Sequence, residues 1–381
     1  MAATESRAPT GGAILAAALL LPGLAPLAQA DEPPERNAVD VKFMSYEDGQ
    51  PGLSRIRVHS PTVSFTNRLG EHWASNLTLV HDDVSGASPR WHSDISSASH
   101  MHDEREAVDL QATRYFQRAS VTLGASSSNE HDYRSKGLSV LGKWSTDDNN
   151  TTLSLGTSVS NDRINPVNNV VQDERKRTAS WIAGVTQVLS TEDVLQLNVG
   201  YTGGHGYFSD PYKLVDNRPR SRDETTLSVG WNHYLDPFQA ALHTSYRYYS
   251  NTWGVRSHTL GLEWAQPLPN NLTLTPSLRY YTQSAASFYY GPTYDPALGA
   301  PFPVGYTLGS TAYSSPDQRL SAFGALTVGL KLDYRIDRDW SVNASLDRYE
   351  QRSSWRLGGG GSAGLAAFHA NILQLGLRWQ Y

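Results

Sequence analysis

The sequence predicts an all-β protein, a transmembrane antiparallel up-and-down β-barrel of about sixteen strands with short periplasmic turns and long extracellular loops. Three observations carry this. An export signal opens the chain, a two-residue hydrophobic period runs along it, and its connectors alternate between tight turns and long loops. Composition agrees: of 381 residues 20 are Tyr and 10 Trp, while charged residues are only 18%, a palette suited to pleated strands. Mean hydropathy is −0.46 and no long apolar run follows the N-terminus, which excludes a bundle of membrane helices. It leaves a barrel open, since every second side chain of such a strand faces a polar lumen.

Arg7 precedes an apolar run over 12–28 that closes on Ala28-Gln29-Ala30, the small-x-small pattern of a signal peptidase site. Pro22 and Pro26 break the run and leave too little for a comfortable membrane span. The expected organisation is a cleaved signal over 1–30 and a single barrel domain over 31–381. With no cysteine, an exported chain has neither disulfide staples nor thiolate chemistry. The balance of 32 Lys and Arg against 37 Asp and Glu gives no surplus for nucleic acid.

Strands are expected at about 38–46, 55–66, 71–82, 105–116, 118–130, 132–145, 150–162, 174–188, 193–205, 222–235, 237–251, 254–267, 270–287, 317–335, 338–354 and 367–381. The last is clearest: from Leu373 to Tyr381 the odd positions are apolar or aromatic and the even ones polar or Gly. Leu195 to Tyr201, Leu227 to Trp231 and Leu326 to Tyr334 repeat the script. Every second connector is a tight turn, such as Thr146-Asp147-Asp148-Asn149, Pro269-Asn270-Asn271 and Ile336-Asp337-Arg338-Asp339. The other set holds the long ones, about 83–104, 162–174, 204–223 and 288–315, and the glycine run 358–361. A sandwich has no reason to segregate them, whereas a membrane barrel keeps its turns on the periplasmic rim.

Aromatic residues fall into two belts, the level preferred by amphipathic rings at each membrane face. Trp73, Phe116, Trp144, Trp231, Trp264, Trp340, Trp379 and Tyr381 lie toward the turns, and Tyr207, Tyr248, Tyr249, Tyr280, Tyr281, Tyr289 and Tyr290 toward the loops. The closing Trp379-Gln380-Tyr381 resembles the C-terminal signal read by the barrel insertion machinery, although the last residue there is more often Phe. The segments Asp83 to Pro89, Ser209 to Lys213, Asn217 to Pro219, Ser245 to Tyr249, Trp253 to Thr259 and Arg279 to Tyr281 resemble an uncharacterised Gram-negative outer-membrane barrel family known as domain of unknown function 3570. The resemblance covers nearly the whole mature chain. It implies an outer-membrane barrel and carries no activity or catalytic residues.

On the faces opposite the apolar stripes stand Asp109, His243, Arg247, Glu263, Arg279, Lys331, Asp333, Asp347 and Arg378, so the interior is expected to be wet or internally paired. The functional reading is a porin-like passage for small polar or ionic solutes, with Arg on one wall and carboxylates on another setting selectivity. The 288–315 loop is expected to fold inward as a constriction. The alternative is a non-conducting barrel that scaffolds or receives periplasmic or surface partners in metal or redox handling, and the third a barrel-embedded hydrolase. For metal handling the candidates are His100, His102 and Asp103, beside Met101 and Glu104 in the first long loop. For a hydrolase, His243 and Ser245 share a face, but toward the lumen and away from lipid. Gly203-Gly204-His205-Gly206 lacks the helix and Lys-Ser/Thr of a phosphate loop and reads as a loop base. An enzyme is not expected, nor a cofactor; the partners expected are outer-membrane lipid, the insertion machinery and small solutes.

Overall fold

The computed structural model describes residues 32–89, 98–213, 215–295, 300–307 and 309–381, without the side chains of 86–89, 98–103, 293–295 and 300–301. The signal segment over 1–30 lies outside the described residues. The chain runs through β1 (Ala38–Gln50), β2 (Leu53–Arg68), β3 (Trp73–Pro89), β4 (Ala98–Tyr115), β5 (Ala119–Asn129), β6 (Tyr133–Ser145), β7 (Thr151–Ile164), β8 (Glu174–Val188) and β9 (Asp193–Gly206). It continues through β10 (Ser221–Leu235), β11 (Ala240–Asn251), β12 (Arg256–Leu268) and β13 (Leu272–Gln283). After the two short strands β14 (Thr293–Asp295) and β15 (Ala300–Phe302), it returns with β16 (Phe323–Arg335), β17 (Trp340–Arg352) and β18 (Phe368–Gln380). Sixteen of these close into one barrel in sequence order, β1 pairing with β18, while β14 and β15 form a separate hairpin within the connector from β13 to β16. All barrel pairs are antiparallel, as in β1 on β18 with Ala38 opposite Gln380 and Gly49 opposite His369.

The two-residue period decides the faces. Leu138 and Leu155 are 62% and 69% exposed on the outside, whereas Ser135, Ser158, Ser160 and Ser180 on the same or neighbouring strands point inward and are buried. The barrel therefore turns an apolar belt outward and a polar wall inward, the reverse of a soluble fold. Its buried apolar residues gather instead at the loop rim. Tyr46, Ile56, Val58, Phe323, Ala325, Tyr349, Leu365, Phe368 and Ala370 form one cluster, and Trp253, Val255, Ala286 and Leu320 another.

Seven connectors at the opposite rim are all tight, none longer than five residues. Asn270 and Asn271, at φ 64° and 61°, supply the left-handed backbone one of them needs. Aromatic side chains close this rim: Trp379 stacks on Trp340 at 5.7 Å and on Tyr381 at 4.6 Å.

Four expectations are corrected. The first long loop is much shorter, because β3 runs to Pro89 and β4 starts at Ala98, with Ser85 opposite His102 and Ala87 opposite His100. Apolar and polar residues do not alternate in the sequence over these positions, so the period vanished while the backbone ladder continued. Residues 203–206 are likewise the end of β9, not a loop base. Residues 317–322, assigned to a strand, are not part of β16; Asp317 and Ser321 are fully buried in a connector, as is Ser315 just before them. The loop-side tyrosines do not form one belt either. Register sends Tyr248 and Tyr280 outward and their neighbours Tyr249 and Tyr281 inward, as alternation requires.

Candidate functional site

The lumen has three levels. Near the turns it is wet: Lys331 and Asp333 pair at 2.9 Å yet keep 49% and 39% of their side chains exposed. Arg378 stands 3.7 Å from Asp40 across the β18–β1 seam at the same end. Higher up, Glu263, Ser277, Gly329 and Asp347 make a single register row over β12, β13, β16 and β17. Gly329 leaves room there for the carboxylate of Asp347 and the hydroxyl of Ser277, which lie across it; a Cβ would push these side-chain ends aside. One inward step toward the loops, Arg279 stands beside Gly261 and Thr327, and Arg247 pairs with Ser228 and Thr259. The Nε of Arg247 is buried with no hydrogen-bond partner among the described residues. Two arginines thus face the lumen just above two carboxylates, held by strands whose intervening glycines leave space.

At the loop rim a roof covers this lumen, and charge locks it. The connector of residues 207–220 brings Asp210, Lys213, Asp216 and Arg218 against Asp317 and Arg319 of the connector of residues 284–322. Arg218 reaches Asp216 and Asp317, both at 2.7 Å, and Lys213 reaches Asp210 at 3.0 Å. Arg319 grips Asp317 with its guanidinium, and the Ser315 hydroxyl donates to Asp216 at 2.6 Å. Burial alone would push the Asp317 carboxyl up, but Arg319, Lys213 and Arg218 together hold it well below the usual carboxylate range. The Trp253 indole N–H donates to the Ser221 carbonyl at 2.9 Å and packs edge-on to Phe208 and Phe288, pinning the roof to the wall. Tyr212 reaches across to accept from the Val167 amide and donate to Asp132. The buried segment is Ser315 to Ala322, just beyond the loop expected to constrict the lumen.

The strands thus bring His243, Arg247, Glu263, Arg279, Lys331, Asp333, Asp347, Arg378 and Asp109 to the inner wall, with Asp109 facing Thr78 and Ser126. They are spread over the wall rather than gathered at one point. His243 Nδ1 sits 2.7 Å from the Asn232 side-chain oxygen on β10 and is not aimed at Ser245. The His100, His102 and Asp103 side chains lie outside the described residues; their backbone is in a strand, not a loop. Among the described residues no three His, Asp or Glu are grouped as metal ligands. The roof cluster was not singled out from sequence, and neither was the inward Lys176–Asp162 pair at 3.2 Å. Alternating charges in Asp210 to Arg218 were the available signal.

A family model described as "Protein of unknown function (DUF3570)" matches residues 11–100, 92–174 and 168–372. No curated protein matches the chain in sequence. Among solved structures, one described as a bacterial polysaccharide outer membrane secretin is 8% identical, with TM-score 0.51, over 91% of this chain and 98% of its own. OccK2 of Pseudomonas aeruginosa, solved in complex with glucuronate, gives 10%, 0.46, 91% and 98%. The siderophore receptor PirA of the same organism gives 11% and 0.48 over 90% of this chain, which spans 62% of the receptor.

Proposed function

The chain belongs to the family described as "Protein of unknown function (DUF3570)", and from that premise we propose that it lies in the outer membrane of a Gram-negative cell and passes small polar or ionic solutes beneath a loop roof. The observation that carries this is the inner wall, where the exposed Lys331–Asp333 level leads up to the Glu263–Asp347 row and to Arg247 and Arg279. A mixed-charge wet wall offers ions and polar solutes replacement for lost water contacts and sorts them by sign. The barrel fold, shared with an outer-membrane secretin, supports the membrane placement. Passage is favoured over hydrolysis because His243 is engaged by Asn232.

Planar-bilayer conductance of the refolded protein tests this. Discrete conductance steps are expected, with Arg247→Ala/Arg279→Ala shifting preference toward cations because two fixed positive charges leave the wall. A second reading, a non-conducting barrel that receives partners, is favoured by the full burial of Asp317 and Ser315 in the roof. Loosening the roof decides between them: a barrel that stays electrically silent as Asp317→Asn is not a passage.

A further inference from the structure

We infer that the outer wall of β6–β9 at the loop rim binds the phosphates of an anionic lipid headgroup carrying more than one phosphate; this rests on the outer-membrane reading above. Register places Arg134, Arg163 and Arg175 directly across from one another on β6, β7 and β8. The next outward row is Lys136, Asn161, Arg177 and His205. All seven side chains are exposed. Like charges facing each other across strands destabilise a sheet unless something neutralises them, and cross-strand neighbours stand only about 5 Å apart.

The chain supplies one counter-charge. Asp173, beyond the end of β7, reaches Arg163 at 2.5 Å and Arg175 at 3.4 Å. Among the described residues Arg134, Lys136 and Arg177 have no ion-pair partner. Elsewhere on the outer wall at the loop rim Arg57 meets Glu47 at 2.7 Å, and Arg348 and Arg352 share Glu350, both at 3.4 Å. Among the described residues Arg256 at the start of β12 stands alone, and no other outward site sets three arginines side by side across neighbouring strands. The nearest outward carboxylates beyond the patch stand two strands away on either side: Glu106 on β4, in the row of Arg134 across Asn129, and Asp223 on β10, opposite Gly203.

Height identifies the occupant. Directly below the basic rows on β8 and β9, Trp181 and Tyr201 face outward with ring centroids 5.8 Å apart, and Leu138 and Leu155 continue the apolar belt on β6 and β7. Aromatic rings mark the headgroup level of a bilayer, so the arginines stand where lipid phosphates stand. A shallow open depression lies beside the second basic row, lined by Val159, Asn161, Arg177, Gly203 and His205. Arginine forks suit phosphate oxygens, and a row spanning two strand spacings, about 10 Å, suits two phosphates better than one.

The test inserts the full chain into phosphatidylcholine vesicles containing either diphosphoryl or monophosphoryl lipid A, then counts lipid retained on the extracted barrel by native mass spectrometry. The wild type is expected to retain diphosphoryl lipid A over phosphatidylcholine. Arg134→Gln/Arg163→Gln/Arg175→Gln should weaken that retention about a hundredfold, at on the order of fivefold per basic side chain. Arg134→Lys/Arg163→Lys/Arg175→Lys should keep most of it, which shows that the fold tolerates changes there. Equal retention by wild type and the Gln variant overturns the inference, as does displacement by inorganic phosphate at matched concentration, which would mean a free-anion site. Failure of the wild type to enter the vesicles at all would instead overturn the membrane reading, and this inference with it.

Discussion

Asp317 is the residue on which the roof turns. Its carboxylate sits among Arg319, Arg218 and Lys213 with none of its surface exposed. Removing one partner from such a cluster leaves buried cations uncompensated and costs about 3–5 kcal/mol. Asp317→Asn should therefore loosen the roof, read as faster hydrogen exchange over the amides of Ser315 to Ser321. The pH dependence follows from the sign of its shift: a carboxyl depressed by folding stabilises above its unfolded pKa of about 3.9 and loses that stabilisation as pH falls through the lower folded value. The roof should hold from pH 7 to about 5 and open only in strong acid; opening near pH 6 would rule out this carboxylate as the lock. None of this was legible in sequence, because Arg218 and Asp317 are 99 residues apart and only the closed barrel sets their connectors face to face. Arg247 and Arg279 were legible, because one-in-two alternation needs no distant partner.

At the level of the strand, β18 offers neighbours on opposite faces. Leu375 is 46% exposed on the outer wall, while Gln374 faces Met44 and Ser345 inside. Leu375→Arg should lower refolding stability into vesicles by about 2–4 kcal/mol and Gln374→Arg much less, since only the first puts a charge in hydrocarbon. Equal losses would refute the register. The same alternation explains where strand ends went astray. Inside the apolar belt one face must be apolar and the period is visible; beyond it, as in β3 from Val84 and β4 before Glu104, that demand lapses and the backbone ladder alone continues.

For the whole molecule, the tight turns around Asp148 and Asp337 lie at one rim and the roof at the other. In the proposed outer-membrane placement, with the termini on the periplasmic side, the roof stands outside the cell. Protease added to intact cells should then cut near Val167 and Val170, which are 65% and 67% exposed in the connector after β7, and spare the Asp148 and Asp337 turns until the membrane is opened. Cutting at those turns first would reverse the orientation.

By itself the sequence determined a barrel of about sixteen strands, the faces of its most clearly alternating strands and the short-turn rim, because these rest on near-neighbour alternation and turn chemistry. Only the tertiary structure decided how the lumen ends. Loop packing made neighbours of Arg218 and Asp317 in the roof, and strand register set Glu263 and Asp347 on one row of the wall. It also lined up Arg134, Arg163 and Arg175 on the outside. A two-residue period states which face a side chain takes, whereas register and loop packing state what it meets there.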